Sequence, residues 1–193
     1  MVSRMFNRRF FLFGVVALAS TDAFADPAPA KKSRAFKLDK RYLPQLVDFP
    51  LGQDIGTVVV DPKSRFLYLV ETVGVARRYG IGVGKAGLAF RGQAMVGRKA
   101  EWPRWKPTAN MIKRDPEKYL RFADGLPGGK SNPLGARALY LYRDGRDTLY
   151  RIHGTTEPWT IGKAVSNGCI RMVNDHVIDL YNRVPVGASV VVV

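Results

Sequence analysis

Short runs of β-branched, leucine and aromatic residues, each closed by a turn signal, leave this chain little option but a mainly β fold. Thr57-Val58-Val59-Val60 and the run Arg65 to Glu71 flank Asp61-Pro62-Lys63-Ser64 and read as a hairpin. Val75 to Ile81 reads as a third strand, and Phe90 to Arg98 as another, broken by Gly92. Ala138 to Tyr142 and Leu149 to His153 follow, with an Asp144-Gly145 turn between them, and Ser189 to Val193 ends the chain. One segment departs from the period of two. From Asn174 to Arg183 and just beyond, Val177, Ile178, Tyr181 and Val184 recur at helical spacing, with Asn174 or Asp175 placed to cap the start. These cues leave a sandwich and a barrel both open. No internal repeat is visible.

The chain is 193 residues long, enough for one domain with an adequate core. Residues 1–25 are set aside as an export signal: Arg4, Arg8 and Arg9, an apolar run from Phe10 to Ala19, then Ala23-Phe24-Ala25 as a cleavage site. The run falls short of the ~20 apolar residues that a spanning helix needs, so no transmembrane span is expected once it is removed. Arg8-Arg9-Phe10-Phe11-Leu12 resembles the twin-arginine signal, with the general secretory route as the alternative; both lead to the periplasm. Residues 26–53 carry Pro27, Pro29, Pro44 and Pro50 among charged side chains and read as a linker or N-terminal arm. Residues 54–193 form the globular part. The whole chain has 31 basic and 16 acidic groups; without the three arginines and Asp22 of the signal, the net charge is +13. The charge is dispersed and accompanies no nucleic-acid motif, so anionic envelope polymers and lipid head groups are the expected neighbours, beside a merely solvated basic surface.

Most of the chemistry lies in Ser166-Asn167-Gly168-Cys169-Ile170-Arg171-Met172 together with His153-Gly154. Cys169 is the only cysteine, which excludes an internal disulfide, and with two histidines at no ligand spacing it argues against a zinc site. A cysteine becomes a strong nucleophile as a thiolate, which needs a base, a cation or oriented amides nearby. His153 stands 16 positions upstream, at the end of an alternating strand, a distance suited to two neighbouring segments joined by a loop. Ser166-Asn167-Gly168 is turn chemistry, leaving the amides of Gly168 and Cys169 free to hold an oxyanion. The plainer alternative is a buried free cysteine packing as a small hydrophobe, with His153 satisfied by a carbonyl.

The pattern HG…SxGC(I/V)R(M/L), read here in His153-Gly154 and Ser166 to Met172, resembles the active-site signature of the L,D-transpeptidases, the YkuD-type catalytic domain. The resemblance runs from about Asp54 to the last strand. It implies a β-sandwich with a small helical accessory and a long cleft-side loop. It implies Cys169 as nucleophile, His153 as general base and no cofactor. The implied substrate is a peptidoglycan stem peptide, cut between the L-centre of its third residue and terminal D-alanine. Transfer of the thioester to an amine of a second stem gives a 3–3 cross-link. The same acyl-enzyme serves trimming if water is the acceptor, or anchoring if an envelope-protein amine is. A non-catalytic basic wall-binding module is the remaining class. One departure stands out: the commonest form of the signature has His where this chain has Asn167.

Around the dyad, Arg171 falls on the same side of a strand as Cys169, there to lower the thiol pKa or take a carboxylate, or to pair with an acidic neighbour. Ser166 orients the turn or the imidazole, Gly154 closes the strand, and Thr155, Thr156 and Glu157 line the cleft. Pro158 and Trp159 stiffen and pack their loop. His176 reads as an ordinary helix-surface residue. The stretch Ala100 to Gly135 is long and irregular, as a lid or binding loop would be. Trp102 and Trp105 within it form a substrate wall or pack beneath the loop. Two phosphate-loop lookalikes fail: Gly82 to Gly87 matches GxGxxG with no helix after it, and Gly125 to Ser131 runs into Asn132-Pro133.

Overall fold

The computed structural model describes residues 36–50, 52–86, 88 and 90–193; the expected export signal lies outside them. Among the described residues, eleven strands occur in chain order: β1 Gln45–Asp48, β2 Val58–Asp61, β3 Phe66–Thr72, β4 Val75–Gly80, β5 Val83–Gly84, β6 Gly92–Glu101, β7 Arg137–Arg143, β8 Arg146–His153, β9 Ala164–Ser166, β10 Ile170–Arg171 and β11 Ser189–Val192. Helices α1 (Ala109–Arg114) and α2 (Pro116–Tyr119) lie between β6 and β7, and α3 (Asn174–Arg183) lies between β10 and β11. Nine strands form one sheet in the order β1-β4-β3-β2-β11-β6-β7-β8-β10, and β5 pairs with β9 in a second.

Strand β2 is buried on both faces, Val58 and Val60 on one and Val59 on the other, since successive side chains alternate. Val58 and Val60 of β2 and Leu67 and Leu69 of β3 meet Leu139 and Leu141 of β7 and Ile152 of β8 in one cluster. The result is the β-sandwich, with the core between its layers. Each such side chain contributes about 1.5–3 kcal/mol by leaving water. Val59 faces the other way and builds a smaller cluster with Val70, Ala76 and Phe49. Phe49 shows why the segment read as a linker is not wholly one. Residues 45–48 add an edge strand antiparallel to β4, and Phe49 then covers the outer face beside Tyr68, ring centroids 5.0 Å apart.

Three further expectations change. Gly92 opens β6 with φ +85° instead of breaking it, and the register shift falls between Val96 and Arg98. Neither Asn174 nor Asp175 caps α3; its N-cap is Val173, and the Asn174 side chain accepts a hydrogen bond from the Ala136 amide across the fold. His176 turns inward on α3, 8% exposed and 6.5 Å from Tyr79. The helix is fastened at its other end by Lys99, whose ammonium donates to the Tyr181 and Val184 carbonyls at 2.6 and 2.8 Å.

A bridge links the segment after β4 to the β10 edge of the large sheet. Just beyond β4, Gly82 exchanges main-chain hydrogen bonds with Arg171 of β10, at 2.9 and 2.8 Å. A side chain at Gly82 would bring its Cβ to 2.8 Å from the Thr160 carbonyl oxygen, so glycine is what lets the strands close.

Candidate active site

Strand register brings the reactive side chains to one face. β10 runs parallel to β8 with Ile170 opposite Ile152 and Arg171 opposite His153. Both isoleucines enter the core. Their neighbours Cys169, Arg171, Arg151 and His153 therefore face away from it, since successive side chains alternate. Cys169 and His153 line the same cavity, of about 300 Å³.

His153 is buried, and its Nδ1 lies 2.5 Å from the Gly154 carbonyl oxygen. A carbonyl only accepts, so Nδ1 carries the proton and Nε2 is left as the base. Burial lowers the imidazole pKa to about 4; the carbonyls of Gly154 and Leu134 oppose this, and the cations Arg171 and Arg151 add to it. Burial pushes the half-buried Cys169 thiol up, against the pull of the Arg151 amide and the Arg151 and Arg171 charges. In the cavity both the thiol and the imidazole thus favour their neutral forms. The Cys169 sulfur also sits 3.9 Å from the carbonyl of Leu149, a leucine held at φ +64°.

Ser166 shapes the turn before the cysteine. Its hydroxyl donates to the Cys169 carbonyl at 2.6 Å and accepts from the Gly168 amide at 3.1 Å. The Gly168 amide, expected to face an oxyanion, is therefore occupied within the turn. Gly168 itself adopts φ +127°, and a Cβ there would meet the Leu88 carbonyl oxygen at 2.6 Å. Arg171 takes the structural option: it binds Glu157 at 2.7 Å and reaches the Thr160 hydroxyl at 3.5 Å. Thr155, Thr156 and Glu157 line the cavity as expected. Trp159 does not pack its loop down; it is 52% exposed.

The long loop is a helical lid. Thr108 caps α1 by accepting from the Met111 amide, and Asp115 caps α2 by accepting from Lys118, each at 3.2 Å. Trp105 stacks edge-on with Phe122, centroids 5.7 Å apart, and lines the cavity. Trp102 lies outside it, 44% exposed. Asn167 fastens the lid: its amide donates to the Tyr119 hydroxyl at 2.8 Å, and its carbonyl accepts from Arg114 at 3.2 Å. Sequence reasoning missed Tyr119 and Arg114, which carry no motif. Buried Asn132 braces the loop by donating to the Leu126 and Pro127 carbonyls.

A second cavity, of about 400 Å³, also reaches Cys169. Trp105, Met111, Leu134 and Cys169 line both, so the lid residues partition the approach to the sulfur.

Residues 55–193 match the model of the YkuD L,D-transpeptidase catalytic domain. The chain is 34% identical over 153 residues to the probable L,D-transpeptidase ErfK/SrfK of Escherichia coli, covering 78% of this chain and 48% of that one. It is 33% identical over 150 residues to the probable L,D-transpeptidase YbiS of the same organism, covering 77% and 47%. The chain thus spans about half the length of these relatives. A solved structure from Brucella melitensis, described as a probable carnitine operon oxidoreductase, is 58% identical with TM-score 0.56, over 81% of this chain and 96% of its own. An L,D-transpeptidase from Mycobacterium smegmatis shares the fold at 22% identity and TM-score 0.50, over 71% of this chain and 58% of its own.

Proposed function

Because the chain belongs to the L,D-transpeptidase family, its catalytic domain matched over residues 55–193, we propose that it is a cysteine acyltransferase acting on peptidoglycan stem peptides. The observation that carries this reading is the shared cavity of Cys169 and His153, with Nδ1 committed to Gly154 and Nε2 left as base. His153 takes the thiol proton as sulfur attacks the carbonyl joining the third stem residue to terminal D-alanine. The C–N bond breaks, the same proton goes to the departing amine, and D-alanine leaves. An incoming amine then attacks the thioester, gives its proton back through His153 to the thiolate, and a 3–3 cross-link results.

The Cys169 amide serves as one oxyanion donor, having no partner among the described residues. Gly168 joins it only if its bond to Ser166 opens, and such a donor is worth about 3–4 kcal/mol of barrier. Water or an envelope-protein amine fits the same acyl-enzyme as alternative acceptors. Export to the periplasm, by the twin-arginine or general route, follows from residues 1–25. Among the described residues no helix is long and apolar enough to cross a membrane. The name of the Brucella relative finds no echo in the glycine pattern, since β5 (Val83–Gly84) pairs with β9 and the next described element is strand β6.

The test is incubation of the protein with disaccharide-tetrapeptide, with products followed by mass. A dimer lacking one D-alanine supports cross-linking and a tripeptide supports trimming. Product formation that persists in Cys169→Ala would end the acyl-enzyme reading.

A further inference from the structure

We propose that Tyr42, on the N-terminal arm, is a positioning residue for the site: its ring clamps Gly80 and Gly162 and so holds the loop that offers Glu157 to Arg171. The inference rests on the acyl-transfer reading for what the site does, and on packing for the clamp. The matched family domain begins at residue 55, so the clamp comes from chain outside it.

The arm is built to present that ring. Asp39 caps a short 3₁₀ turn, Lys40–Tyr42, by accepting from the Arg41 amide at 3.0 Å. Pro44 follows, and β1 then pairs with β4, Gln45 opposite Arg78. The Tyr42 ring lies 5.7 Å from that of Phe66, centroid to centroid, and the Arg41 guanidinium stacks over it at 4.9 Å. Its floor is two glycines from different parts of the fold. A Cβ at Gly80, which ends β4, would fall 2.7 Å from Tyr42 Cδ1, and one at Gly162 would fall 2.6 Å from Cζ. Such distances leave no room for a side chain, so the ring rests directly on two main chains.

Gly162 belongs to the connection between β8 and β9, the one that leads away from His153. Its amide donates to the Ile81 carbonyl at 2.9 Å, and the amides of Thr160, Ile161 and Lys163 close turns within the loop. The same loop supplies Glu157, which takes the Arg171 guanidinium at 2.7 Å, and Thr160, whose hydroxyl donates to the Glu157 carbonyl at 2.7 Å. The loop's own largest side chain, Trp159, is exposed, so its hold comes from buried Ile161 and from the arm. Arg171 stands two residues past Cys169 and opposite His153 in the register of β10 and β8. Its charge, with that of Arg151, favours the Cys169 thiolate. A path of contacts thus runs from Tyr42 through Gly162 and Thr160 to the cation beside the sulfur.

The test pairs turnover with amide exchange. Tyr42→Ala should lower kcat/KM for disaccharide-tetrapeptide about ten-fold at a temperature where the variant stays folded, and Tyr42→Phe, which keeps the ring, should not. Gly80 is not left-handed, so Gly80→Ala adds only a methyl beneath the Tyr42 main chain. It should cost the same as Tyr42→Ala, and the double variant no more than either single. In an Arg171→Gln background Tyr42→Ala should cost little, because the path ends at that cation. Amides of residues 160–163 should exchange several-fold faster in Tyr42→Ala while those of β7 do not change. Unchanged exchange of those amides, additive losses in the double variant, or an equal Tyr42→Ala loss with and without the Arg171 side chain would overturn the proposal. Exchange needs no turnover, so a wild type that makes no product while the exchange pattern holds would sink the acyl-transfer reading alone.

Discussion

In the proposed reaction, His153 accepts a proton from a thiol that is itself reluctant to give one up. Burial is the common cause, since it penalises the imidazolium and the thiolate alike. Both groups therefore rest uncharged, and in the proposed reaction charge separation waits for the attack itself. The same burial makes a stability prediction. In the unfolded chain a histidine binds its proton near pH 6.5, whereas folded His153 resists until about pH 4. Between those values the unfolded state holds the extra proton, so stability is full above pH 6.5 and falls as pH drops towards 4. The difference corresponds to about 3 kcal/mol. Urea unfolding across pH 4–7 should show this slope in the wild type and a shallower one in His153→Gln, the remainder coming from His176, whose pKa burial also lowers; equal slopes would refute it.

At the scale of elements, the loop and α3 are each fastened in part by a side chain reaching from another part of the fold, Asn167 for the loop and Lys99 for the end of α3. Asn167→Ala removes the bonds to Tyr119 and Arg114 and leaves the capped helices themselves intact. Because Asn167 is exposed, the global cost should stay near 0.5–1 kcal/mol, about one hydrogen bond. The local effect should be larger, with amides of residues 109–119 exchanging several-fold faster while those of β7 do not change. Uniform exchange in both proteins would mean that Asn167 does not hold the lid. Lys99→Met strips two carbonyls at the end of α3 of their donor while keeping the stem. A loss of about 1–3 kcal/mol is expected in denaturant titration, and an unchanged midpoint would show that water replaces the ammonium.

For the whole molecule, the bridge between Gly82 and Arg171 ties the segment after β4 to the β10 edge of the sheet, next to Cys169. Gly82→Ala presses a methyl against the Thr160 main chain, which cannot retreat as a flexible side chain would. A cost of about 1–3 kcal/mol is expected. Transferase activity at a temperature where the variant is still folded should fall further than that loss of stability accounts for. Activity that tracks the folded fraction alone would mean the bridge supports the fold and not the site.

Much of this protein was determined by its sequence alone, wherever the physics is local. Period-two alternation made the strands, period 3.6 made α3 to the residue, and the turn residues around Cys169 marked the one place where a thiol leaves a corner. The caps at Thr108 and Asp115, with Pro116 after the latter, were also written in the chain, although prolines and aromatics around them made the lid look irregular. Only the tertiary structure decided matters that depend on residues far apart in sequence. It spent the Gly168 amide on Ser166, paired Arg171 with Glu157 and drew the edge strand β1 out of a proline-rich arm. It gathered Arg98 and Arg151 onto Tyr140, and it set a lid partition across the approach to a single sulfur. Such pairings follow from strand order, which no window of neighbouring residues contains.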